Sequence, residues 1–228
     1  MFRRLFRRIF GGSTAPVQST PQNPSPVIPA NPDADITFAF IIGHNEWDQG
    51  VRNFLGESEW SFNSRVAKRA CEILAEDYGK SAYILFRPSG SYTAQVNHVV
   101  REARRLKVNK ALSLHFNAFS NPTVQGTEAL IVSTPTPKDD LMAKILTDML
   151  AQEYGVSQRG TQGVKTIPSG HGGYGMLRGL SRAGITATLI EPVFATHDTP
   201  ETRDFFNREY KYAKLLAKFA NKVIEQNF

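Results

Sequence analysis

From residue 36 onward, short apolar runs alternate with amphipathic stretches of helical period, and that alternation restricts the chain to a layered α/β architecture. Residues 36–43 form a β-prone apolar run that reads as a buried strand. Residues 82–86, 111–115, 128–132 and 186–190 read likewise. Between the first two, residues 61–78 place Phe62, Val66, Ala70, Ile73, Leu74 and Tyr78 at helical spacing, and Gly79 offers a C-cap. Helices are also expected over 92–106, 141–154 and 202–226, whereas the glycine-rich stretch 155–175 reads as a loop. The expected fold class is therefore α/β, with a largely parallel, twisted sheet of about five to six strands and helices on both faces. With 228 residues, 41% of them hydrophobic, the chain can bury such a core in a single domain.

The two ends of the chain differ in character. In residues 1–12, Phe2, Leu5, Phe6, Ile9 and Phe10 fall on one face of a helix and Arg3, Arg4, Arg7 and Arg8 on the other, with Gly11 and Gly12 ending the pattern. Charges recur throughout, unlike a signal peptide. A cationic amphipathic segment lying on an anionic membrane surface is expected. Residues 13–34 carry six prolines among polar residues and read as a linker, so the folded domain is expected to span 35–228. Four of the 27 basic residues fall in residues 1–32, which hold no carboxylate, leaving 23 basic against 21 acidic residues in the rest. That near-neutral body argues against nucleic acid as a partner. The single cysteine, Cys71, excludes an internal disulfide and a cysteine-based zinc cluster. No apolar run approaches the ~20 residues of a membrane span, so a protein made in the cytoplasm without a transmembrane segment is expected.

In open parallel sheets ligands bind beyond the carboxyl ends of the strands. Four chemically versatile residues stand at that edge. His44 follows the first strand, His115 ends the third, and Glu191 follows the strand at 186–190; Glu59 lies just before or in the first turn of the helix after the first strand. Two histidines and one carboxylate are a recurring catalytic zinc set, and a further carboxylate outside the set can shuttle protons. Asn117, two residues past His115, is placed to orient that histidine or a substrate. His171 and Arg178 fall near the expected mouth and are candidates for substrate contact, Arg178 through a carboxylate. His98 is expected on the solvent side of its helix, His197 in a loop, and Cys71 in the core.

The segment from residue 35 to about 226 resembles the zinc-dependent N-acetylmuramoyl-L-alanine amidases of bacterial division, sporulation and phage lysis. Gly43-His44 resembles the family's first zinc motif, and Glu59-Trp-Ser-Phe-Asn63 its Glu-x-x-hydrophobic-Asn. Ser113-Leu-His115-Phe-Asn117-Ala118 resembles the most specific motif, and Leu189-Ile-Glu191-Pro-Val-Phe194 the segment that carries the catalytic glutamate. Gly126-Thr-Glu128 and Tyr174-Gly-Met-Leu-Arg178 also sit where the family has similar segments. The resemblance implies Zn2+ on His44, Glu59 and His115, Glu191 as general base, and cleavage of the amide between N-acetylmuramic acid and L-alanine in peptidoglycan. Glu57 competes with Glu59 as ligand; Glu59 is preferred because Asn63 follows it at the family's spacing. The family's Asp-x-Gly-His-Gly is Ile41-Ile-Gly43-His44-Asn45 here, which leaves the loop after His44 open. A zinc-blocking helix before the last strand is not expected, because 155–175 lacks the pattern for one. A phage endolysin acting on the periplasmic or cell-wall peptidoglycan is the setting that best joins this domain to the cationic start. A zinc peptidase cutting inside the stem peptide, or an inactive wall- or membrane-binding protein, are the competing readings.

Overall fold

The computed structural model of the protein describes residues 37–121, 123–168 and 174–226. The first apolar run forms β1 (Phe38–Ile42), every residue of which is buried. Its side chains alternate between two cores: Phe38, Phe40 and Ile42 pack into one, Ala39 and Ile41 into the other. A strand covered on both faces must be apolar throughout, which is why the run is continuous rather than alternating.

β1 lies between β2 (Tyr83–Leu85) and β3 (Lys110–Leu114), and β3 pairs in turn with the last strand, β6 (Thr186–Glu191); all four are parallel. β4 (Glu128–Ile131) runs antiparallel to β6, and β5 (Val164–Thr166) runs parallel to β4, giving the order β2-β1-β3-β6-β4-β5. On one face pack α1 (Glu59–Tyr78), α3 (Pro137–Tyr154), α5 (Pro200–Asn207) and α6 (Glu209–Glu225); on the other pack α2 (Tyr92–Arg105) and α4 (Gly175–Arg182). The expected α/β class, with a largely parallel sheet and helices on both faces, is what the chain adopts.

Capping chemistry sets the helix that matters most for the site. Ser58 accepts a hydrogen bond from the Ser61 amide, so α1 begins with Glu59, and Gly79 ends it at φ 64°. α3 begins before the expected residue 141, because Thr136 and Asp139 form a reciprocal capping box with Pro137 in the first turn. Asp139 also accepts from the Ala187 amide, tying α3 to β6.

Two expectations need correction. The stretch 155–175 contains β5, a three-residue strand whose pairing to β4 was invisible in so glycine-rich a segment. Among the described residues that stretch forms no helix before α4. The helix expected over 202–226 is two helices, since Arg208 leaves helical geometry at φ −119°, ψ 54°. Its apolar spacing runs through the break, before which Phe205 and Phe206 pack against Phe62 and Phe116. The segments read as an amphipathic start and a linker, 1–12 and 13–34, lie outside the described residues. No helix among the described residues is long and apolar enough to cross a membrane.

Candidate active site

β1, β3 and β6 end at the same edge of the sheet, and their next or last residues carry the chemistry. Gly43 donates to the Leu114 carbonyl and delivers His44, whose backbone is left-handed at φ 64°. His115 follows β3 and donates its amide to Ile190. Glu191 is the final residue of β6. Glu59, the first residue of α1, reaches the same edge from the helix side, where its charge also meets the positive end of the helix dipole.

His44, Glu59 and His115 each present a ligand atom within 4.8 Å of the other two. His115 Nδ1 lies 2.9 Å from Glu59 Oε1, and His44 Nε2 lies 3.5 Å from Glu59 Oε2. Ligands of a tetrahedral zinc at ~2.1 Å stand about 3.4 Å apart, so the trio fits such an ion. The site also holds a buried polar atom, His44 Nδ1, with no hydrogen-bond partner among the described residues. Nitrogen and carboxylate donors with a fixed carboxylate suit zinc over harder cations, which prefer all-oxygen shells.

Glu59 is 1% exposed, and its two oxygens are pinned by backbone amides. Oε1 accepts from Phe116 at 3.0 Å and Oε2 from Val51 at 3.2 Å. Burial pushes its carboxyl up, but the His115 hydrogen bond, the two imidazoles and the Phe116 amide outweigh this and hold it below the usual range. Burial also lowers the proton affinity of His44, with His115 and Arg87 acting in the same direction against Glu59. Both effects favour the ligand forms, an ionised carboxylate and a neutral imidazole.

The loop after His44, open at the sequence level, has a definite construction. Asn45 is buried and accepts from the Trp47 and Asp48 amides, closing a turn. Gly50, at φ 72°, passes so near the site that a Cβ there would sit 2.6 Å from His44 Cδ2 and 2.7 Å from Glu59 Oε2. Glu57, the competing ligand, points elsewhere: it pairs with Arg65 and accepts from Ser61.

Glu191 lines a cleft of about 400 Å³ together with His44, Asp48, Arg87, Tyr92, His115 and Tyr174 among others. Burial pushes its carboxyl up to about 8, with further contributions from the charge and hydrogen bond of Glu128 and from Glu59, opposed by Lys165. Glu128 was noticed in the sequence only as part of a resembling segment. Because β4 runs antiparallel to β6, the residue that opens β4 stands opposite the residue that closes β6, and Glu128 pairs in register with Glu191. Glu128 accepts from Asn117 Nδ2 at 2.8 Å and is ion-paired to Arg159 and Lys165. These cations hold it ionised against the pull of burial.

The other candidates separate. Asn117 uses its amide on Glu128 and its Oδ1 on the Ala118 amide. Arg178 sits on α4 with Nη1 buried and without a partner among the described residues. His171 lies outside the described residues. His197 is buried, bonded to the Phe119 carbonyl and Gln125 and stacked on Phe194, as a loop-holding residue would be. His98 is partly exposed on the outer side of α2, beside Arg101. Cys71 is a core thiol pushed up to about 12 by burial.

Comparison with known proteins adds the family. The family model for N-acetylmuramoyl-L-alanine amidase matches residues 39–225. No curated protein matches the chain significantly in sequence. Among solved structures, the catalytic domain of CwlV, N-acetylmuramoyl-L-alanine amidase from Bacillus (Paenibacillus) polymyxa, superimposes with a TM-score of 0.63 at 19% identity, over 83% of this chain and 99% of that one. N-acetylmuramoyl-L-alanine amidase AmiC2 of Nostoc punctiforme gives 0.63 at 19% identity, over 85% and 97%. The catalytic domain of the CD27L endolysin targeting Clostridia difficile gives 0.63 at 17%, over 81% and 96%. At these identities the neighbours establish the shared fold, and the family match over most of the described domain establishes the rest: the chain belongs to the N-acetylmuramoyl-L-alanine amidase family.

Proposed function

We propose that this protein hydrolyses the amide between the lactyl group of N-acetylmuramic acid and the L-alanine of the peptidoglycan stem, using Zn2+ held by His44, Glu59 and His115. The observation that carries this reading is the convergence of those three side chains beside Glu191, in a chain whose residues 39–225 match the amidase family. When bound, zinc would lower the pKa of water toward ~7 and polarise the scissile carbonyl.

The chain's own residues do the remainder. Glu191 takes a proton from the attacking water, whose oxygen bonds to the carbonyl carbon. As the C–N bond breaks, the same carboxyl returns the proton to the departing alanine nitrogen. A carboxyl with raised proton affinity suits that return, and Glu128 beside it supplies part of the raise. Glu59 stays ionised and oriented by its two amide donors, so the ligand set keeps its shape. Residues 1–12, through their arginine and apolar faces, would hold the domain at an anionic membrane while the proline-rich stretch 13–34 lets it reach the wall, in the setting of a phage endolysin.

Digestion of purified peptidoglycan, with and without chelator and followed by mass spectrometry, tests the reading. A new lactyl carboxylate on muramic acid, abolished by chelator, is expected. A new carboxylate inside the stem would make the protein a peptidase, and no cleavage would leave a binding protein. Glu191→Gln should keep stoichiometric zinc while activity falls by roughly 10²- to 10⁴-fold; loss of zinc from that variant would make Glu191 a ligand instead.

A further inference from the structure

Arg87 follows β2 and lines the same cleft as His44, His115 and Glu191. It is partly buried, and burial lowers its proton affinity without removing its charge. No carboxylate among the described residues lies within ion-pair distance of it. Its Nε and Nη2 both donate to a single neutral acceptor, Gln95 Oε1, at 2.9 and 2.6 Å. Gln95 is itself buried and anchored through Nε2 to the Gly90 carbonyl, and the Tyr92 ring covers the guanidinium at 5.1 Å. The side edge of the fork is thereby used and the plane is fixed. Nη1 donates to no described residue, so the end-on pair, Nη1 with Nη2, is left for something entering the cleft.

A guanidinium so held is costly next to a divalent cation. Zinc would bring +2 to a site whose one ionised ligand is Glu59. An anion from outside resolves the imbalance, and planar bidentate pairing is what the end-on fork offers a carboxylate. Peptidoglycan stems carry one close to the scissile amide: the second residue is a glutamate joined through its side chain, which leaves its α-carboxyl free unless the cell amidates it.

We propose that the Arg87 end-on fork is a subsite for the free α-carboxylate of that glutamate, so that the cleft selects stems whose glutamate is not amidated. This rests on the amidase reading above, and names which stems that site takes.

Calorimetric binding of L-alanyl-γ-D-glutamyl-L-lysine and of its glutamate α-amide to the zinc-loaded full chain tests it. Neither peptide contains the scissile bond, so the outcome does not depend on which bond the enzyme cuts; the digestion settles that separately. The free acid should bind roughly 10- to 100-fold more tightly than the amide, the range of a charge-assisted pair. Arg87→Gln should bring both peptides to the amide's affinity, and Arg87→Lys should restore part of the difference. Equal affinities in the unaltered protein, undetectable binding of both peptides, or a preference that survives Arg87→Gln would each overturn the proposal. The first two need no variant, so a misfolded Arg87 substitution does not protect it.

Discussion

Replacing Glu128 with Gln should move the acid limb of the enzyme's pH profile downward by about 1–2 pH units. The two carboxyl groups face each other across the β4–β6 pair, and Glu128, after burial, contributes most to lifting Glu191 to about 8. Two unit charges ~4 Å apart at an effective dielectric of about 20 interact by ~4 kcal/mol, or about 3 pH units. Arg159 and Lys165 already offset part of the Glu128 charge, which reduces the expected shift. Gln removes the like charge and leaves both cations, so Glu191 ionises more readily. As general base it must be ionised, and activity therefore persists to lower pH in the variant. Bound zinc lowers the absolute value in both proteins and leaves the sign of the difference intact.

A second readout follows from linkage. Because Glu191 binds its proton more tightly folded than unfolded, its contribution to stability is full below about pH 4.5 and is lost as the pH rises through about 8. Metal-free protein should thus lose stability between about pH 5 and pH 8 more steeply than the Glu128→Gln protein does. The slopes are the quantity to compare, since stranding Arg159 and Lys165 lowers the variant's stability at every pH. The measurements are kcat/KM against pH for the zinc-loaded proteins and melting curves for the metal-free ones. An acid limb that stays in place, or moves up, would refute the electrostatic coupling.

Gly50→Ala should fold but bind zinc roughly 10- to 100-fold more weakly, because the new methyl must displace His44 or Glu59 and the backbone sits at φ 72°. Competition against a chromophoric chelator measures this, and unchanged affinity would mean the loop yields without moving a ligand. Deleting residues 1–12 should leave hydrolysis of purified peptidoglycan nearly unchanged while reducing binding to anionic vesicles in a salt-sensitive way. Equal vesicle binding by the two forms would remove the membrane role.

Much of the candidate site could be read from local pattern. His44, His115 and Glu191 each end or follow an apolar run, and a run too apolar to alternate belongs to a strand covered on both faces, whose carboxyl end is where ligands bind. Glu59 was legible through its spacing to Asn63, which resembles the family's Glu-x-x-hydrophobic-Asn; the Ser58 cap that opens α1 at Glu59 emerged only in the structure. Glu128, Arg159, Lys165 and Arg87 were not. Each lies in a segment of ordinary composition, and its place beside the site depends on which strands pair and in which direction.

By itself the sequence determined the α/β class, the helix that carries Glu59 and the edge at which two histidines and a carboxylate emerge, because periodicity and capping are properties of neighbours along the chain. Only the tertiary structure decided that β4 runs against β6 and brings Glu128 onto Glu191. It also decided that a short β5 sets Lys165 beside them, that the last helix breaks at Arg208, and that Gln95 turns Arg87 toward the cleft. Strand direction and side-chain partners are chosen by burial and charge compensation between segments far apart in sequence, and no local pattern encodes which of the possible pairings leaves the fewest buried charges uncompensated.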